Sequence, residues 1–121
     1  MTKPKTKAQL LAQVRELCLA MPNATERASH GTPTWFIGAK GRSFATFDDH
    51  HHGADRIALV CAAPDGLQAQ LVADDPENYY VPPYVGGAGW IGVRLDRDVP
   101  TAEIARAVEL AYAHAAAKRR R

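Results

Sequence analysis

The chain reads as an α+β two-layer sandwich on an antiparallel sheet, with element order α-β-β-β-α-β-β-α. Two amphipathic helical stripes lie at its ends, and between them short aromatic or β-branched runs are separated by glycine and proline turns. Its 121 residues, 46% of them hydrophobic, suit one domain over residues 1–121 with a single core and short basic tails at 1–7 and 118–121.

Taken in order, Thr6 is a candidate N-cap, and Leu10, Leu11, Val14, Leu17, Cys18 and Met21 recur at helical spacing until Pro22-Asn23 stops the helix. Three strands follow at Thr34 to Ile37, Ser43 to Phe47 and Arg56 to Cys61. The turns Gly38 to Gly41 and Asp48 to Asp55 close them into a meander. On this reading Ser29-His30-Gly31 is the connection from the first helix into the sheet. Pro64-Asp65 opens a short second helix carrying Leu67, Leu71 and Val72, which ends near Asp75-Pro76. Tyr79 to Tyr84 is interrupted by proline and belongs at an edge, and Trp90 to Leu95 is the next strand. Val99-Pro100-Thr101 starts the last helix, whose apolar face carries Ile104, Val108, Ala111, Tyr112 and Ala115. The expected core is Leu10, Val14, Leu17, Ile57, Leu59, Leu71, Ile91, Val93, Ile104 and Val108.

Charge is divided unevenly. Seven of the fifteen basic residues sit in the tails, so residues 8–117 hold eight basic against thirteen acidic groups, a net of −5. Cys18 and Cys61 lie among apolar residues with no C-x-x-C spacing and read as buried free thiols. The amino terminus MTKPKTK lacks a signal-peptide core, and no apolar window approaches the roughly 18–20 residues of a membrane span, which points to the cytoplasm and no membrane partner.

Few motifs carry chemistry. Adjacent Ser29 and His30 offer neither a nucleophile with its base in reach nor an oxyanion site, and there is no G-x-S-x-G elbow, so no catalytic residue is assigned. The run Asp48-Asp49-His50-His51-His52 holds metal-ligand types. Alternate side chains of an extended chain point to opposite faces, however, so neither a functional metal site nor a cofactor is expected. Lys40 and Arg42 flank a hairpin turn; with Arg94 and Lys118, Arg119, Arg120 and Arg121 they are the candidate phosphate contacts. Glu26, His30, Trp35, Tyr84 and Trp90 are the candidates for touching a small ligand, Tyr84 and Trp90 being the aromatics best placed for exposure beside a glycine turn.

"SHGTPTW" (Ser29 to Trp35), "PPYVGGAGWIGV" (Pro82 to Val93) and "LDRDVP" (Leu95 to Pro100), in that order, resemble the MmcQ/YjbR-like family over most of the chain. The resemblance implies an α-β(3)-α-β(2)-α fold and a role in DNA binding through a double-wing arrangement similar to frataxin-like domains. It implies no catalytic residues. The expected function is therefore non-catalytic, weak, salt-sensitive binding of nucleic acid without base readout. Two alternatives stand beside it: a protein-interaction module using the sheet face or edge, and a small-molecule binder with His30 near a pocket. The chain is expected to be a monomer or weak homodimer.

Overall fold

Among the described residues all strand pairings are antiparallel and join six strands in the order β1-β2-β3-β4-β6-β5. The computed structural model describes residues 5–49 and 56–119. Along the chain it gives α1 (Lys7–Leu19), β1 (Ala24–Ser29), β2 (Thr32–Ile37), β3 (Ser43–Asp49), β4 (Ile57–Cys61), α2 (Leu67–Asp74), β5 (Tyr79–Tyr80), a 3-10 turn (Val85–Ala88), β6 (Ile91–Arg94) and α3 (Thr101–Arg119).

α1 starts where a reciprocal cap closes: the Gln9 amide donates to Thr6 Oγ1 at 3.1 Å, and the Thr6 amide donates to Gln9 Oε1 at 2.9 Å. It presents Leu10, Val14 and Cys18 to the sheet. α3 lies beside it on the same face, and the two helices cover Trp35, Phe44, Phe47, Leu59, Ile91 and Val93. Phe44 meets Tyr112 of α3 edge to face at 5.5 Å, and the Tyr112 hydroxyl donates to the Pro22 carbonyl at 2.8 Å. Seven of the expected core residues are buried; Leu17, Ile57 and Leu71 pack half-buried at its margin. Cys18 and Cys61 are buried free thiols, and burial alone pushes Cys61 up to about 12.

The element order needs one correction: four strands, not three, precede α2. The missed strand is β1, "ATERAS", a polar edge strand without apolar alternation. Ser29-His30-Gly31 consequently belongs to a β1–β2 hairpin rather than to a helix-to-strand connection. Ser29 pairs with Thr32, and the two residues between them, His30 (φ 53°) and Gly31 (φ 81°), both adopt positive φ, as tight two-residue hairpin loops require. Histidine tolerates that conformation less readily than the usual asparagine or glycine, which hides the turn in the sequence. β5 also proves shorter than expected. After Tyr80 the chain leaves the sheet, because Pro82 and Pro83 lack the amide hydrogens a ladder needs.

Candidate functional site

With both long helices on one face, they leave the other face of the sheet uncovered. Register places Thr34, Thr46, Val60, Gly92 and Tyr80 in one row running across five strands. A residue with any side chain at position 92 would collide with the Tyr80 ring, which lies flat over Gly92. On its other side that ring receives the Arg56 guanidinium at 3.6 Å, a stack that closes the β5 end of the row.

At the β2–β3 end of the row lies an open cleft of about 610 Å³. Thr32, Thr34, Thr46 and Val60 form its floor, Ser29 and His30 one rim, Asp48 one end, and Pro82, Pro83, Tyr84, Val85 and Trp90 the opposite wall. That wall is braced from behind. Gln68 Nε2 of α2 donates to the Gly86 carbonyl at 2.8 Å and to the Trp90 carbonyl at 2.6 Å, and Gly86 packs so close to Val81 that a Cβ there would sit 2.6 Å from a Val81 methyl. Tyr84 holds the loop tip at φ 67°, a costly conformation for a bulky residue, and is 86% exposed.

Of the ligand candidates, the fold brings His30, Tyr84 and Trp90 to this cleft and sets Glu26 and Trp35 apart from it. Trp35 has no exposed surface, and its indole N–H donates to Glu26 Oε1 at 2.9 Å on the helix side of the sheet. Arg15 of α1 donates to the same carboxylate at 2.8 and 2.9 Å. That paired guanidinium holds Glu26 below the usual carboxylate range, burial opposes the shift, and the Trp35 N–H adds to it. Glu26 and Trp35 therefore join the two layers, away from the cleft. Sequence reading overlooked Thr32, Thr34 and Thr46. The spacing of two between Thr32 and Thr34 along β2 was the available signal, but threonines in that pattern look like an ordinary solvent face.

The candidate phosphate contacts divide between opposite ends of the sheet. Lys40 and Arg42 are exposed on the β2–β3 hairpin. Arg27 joins them: its guanidinium lies 3.6 Å over Phe36 and donates to the Ala39 carbonyl at 2.9 Å. The Gly38 amide donates to the Asn23 carbonyl at 2.7 Å, so Pro22-Asn23 is at this end as well, and α3 runs toward it through the Tyr112–Pro22 bond, carrying exposed Lys118. Arg120 and Arg121 lie outside the described residues. Arg94, by contrast, shares its row with Asp48, five residues along β3 from Ser43, about 17 Å. Its charge is met by Asp96 through two bonds of 2.8 and 3.0 Å, which raise the affinity of the guanidinium for its proton. Lys7 is also at the far end, 2.7 Å from Asp49. Asp48 and Asp49 face opposite sides of β3, while His50, His51 and His52 lie outside the described residues; among the described residues no group of three ligand-type side chains could hold a metal.

Beyond geometry, the YjbR family model matches residues 19–114. The chain belongs to the YjbR family. Searches of curated proteins and of solved structures return no match. The matched span runs from the end of α1 into α3, so it contains the whole sheet, the cleft and the β2–β3 hairpin of this YjbR chain. No helix among its described residues is long and apolar enough to cross a membrane.

Proposed function

We propose that this YjbR-family protein is a non-catalytic nucleic-acid-binding module that grips phosphates, without reading bases, at the end of the molecule bearing the β2–β3 hairpin. The reading is carried by one observation: Lys40, Arg42, Arg27 and the C-terminal end of α3, distant in sequence, converge on one end of the fold. Lys7, Arg15 and Arg94, by contrast, are paired with acidic side chains, which favours the hairpin end as the attractive pole. Arg94 drops out of the contact set on this reading.

Each neutralised phosphate contributes a slope of about −0.9 to log affinity against log salt on duplex DNA and about −0.7 on single strands. The expected result is that Lys40→Ala with Arg42→Ala, and separately alanine at Lys118, Arg119, Arg120 and Arg121, weaken binding and flatten that slope. Lys5→Ala with Lys7→Ala should change neither. Absence of binding to duplex and to single strands at low salt, or a slope set by the N-terminal lysines, would overturn the proposal.

A further inference from the structure

The floor of the cleft is an unusual piece of sheet. Thr32 Oγ1 and Thr34 Oγ1 lie 3.0 and 2.9 Å from Thr46 Oγ1, and the three hydroxyls also approach the carbonyls of Ser29, Thr32 and Pro33 at 3.2 Å each. These are five contacts shared by three hydroxyl protons. Not all can be hydrogen bonds at once, so each rotor can turn and the cluster can present either a donor or an acceptor to whatever rests on it. Thr34 is 4% exposed, which puts a hydroxyl under the floor where only its neighbours or a ligand can satisfy it.

Above this floor the walls are largely apolar: Trp90, the prolines and Tyr84 on one side, the His30 turn on the other. Among the described residues no lysine or arginine lines the cleft, and Asp48 lies at one end, a lining that offers an anion no cationic partner. The wall is preformed, since Gln68 ties both ends of its loop to α2.

We propose that this cleft binds an uncharged flat heteroaromatic ring of the nucleobase kind, its hydrogen-bonding edge on the Thr32/Thr34/Thr46 cluster and its face against Trp90. Stacking on an aromatic contributes about 1–3 kcal/mol per base, and an edge with mixed donors and acceptors matches hydroxyls that can switch roles. A free nucleoside and an unstacked base of a single strand present the same ring. For the second source the geometry is favourable, because Ser43 lines the cleft and directly follows Arg42, so a backbone leaving the cleft meets the hairpin cations. The site itself stands on the cleft and not on the phosphate contacts.

The test uses the full chain, with thymidine, adenosine and an eight-residue oligothymidylate as probes, read by quenching of tryptophan fluorescence and by amide shifts of Thr34, Thr46 and Trp90. Nucleosides should quench saturably and shift those amides. Trp90→Phe should remove most of the quenching, since Trp35 is buried, and Thr46→Val should weaken nucleoside binding about tenfold while thermal melting verifies that it folds. Lys40→Ala with Arg42→Ala should leave nucleoside affinity unchanged. A saturable response to the oligonucleotide but not to nucleosides, insensitive to Thr46→Val, would overturn the cleft site and leave the phosphate-binding reading standing. Nucleoside binding that survives Thr46→Val and Trp90→Phe together would place the ring elsewhere and overturn it too. Oligonucleotide binding that depends on Thr46 and is indifferent to Lys40 and Arg42 supports the cleft and removes the phosphate reading instead.

Discussion

Gly92 illustrates how one missing methyl group organises the open face of the sheet. Because position 92 has no Cβ, Tyr80 lies across β6, and Arg56 can then stack on the ring at 3.6 Å while the Tyr80 hydroxyl points toward Asp48. Burial is the main reason the Tyr80 hydroxyl holds its proton more tightly than usual. In Gly92→Ala the new methyl would fall within the ring, so the ring must swing out and uncover the sheet. The expected loss is about 1–3 kcal/mol, as for other overpacked sites. A lowered urea midpoint with unchanged slope checks it, and a variant as stable as the parent would mean that the ring moves freely.

Among the three helices, α2 alone has no residue fully buried, yet it holds the cleft wall. Its Gln68 amide serves the carbonyls of Gly86 and Trp90, joining a helix to a loop eighteen and twenty-two residues later. Gln68→Ala leaves both carbonyls without that donor, a loss of about 1–3 kcal/mol where the group stays dry. The loop should loosen before the sheet does. Hydrogen exchange at the amides of Gly89 and Trp90 is expected to accelerate strongly while Leu59 and Val93, deep in the sheet, stay protected; uniform acceleration would instead make Gln68 a brace of the entire fold.

For the whole molecule, one ionic joint between its layers also reaches into the sheet. Glu26 of β1 accepts from Arg15 of α1 and from Trp35 of β2, so a single carboxylate touches helix and sheet together. At the opposite end, burial works against the ionised form of Asp96, but Arg94 and the Ile57 amide outweigh it and hold the carboxyl below its ordinary range. Both groups have a depressed folded-state value. Their contribution is therefore fully present above the unfolded carboxylate range and is lost as pH falls through the folded values. Stability should decline below about pH 4. Glu26→Gln should be less stable than the parent near pH 7 and flatter in acid, as measured by urea midpoints across that range. Parallel profiles would show that Glu26 is not the acid-sensitive joint.

Local chemistry sufficed for several features. The Thr6 cap, the stripes Leu10-Val14-Cys18 and Ile104-Val108-Ala111, and the two-residue period of Leu59 and Val93 all follow from contacts made within a turn or by one face of an element, so they were legible in the sequence. β1 was not, because a polar edge strand has no apolar rhythm and exists only through its register with β2. The candidate site depended still more on tertiary structure. Side-chain type marked both Trp35 and Trp90 as candidates, but strand parity sends Trp35 into the core, while Trp90, just before β6, packs at the core margin and lines the cleft. The same register gathers Thr32, Thr34 and Thr46 into one hydroxyl cluster, while packing of α3 over β3 brings Lys118 toward the Lys40–Arg42 hairpin. Sequence alone determined the periodic elements, since their causes are local; which side chains share a surface was decided by strand register and layer packing, which act between residues that the chain keeps far apart.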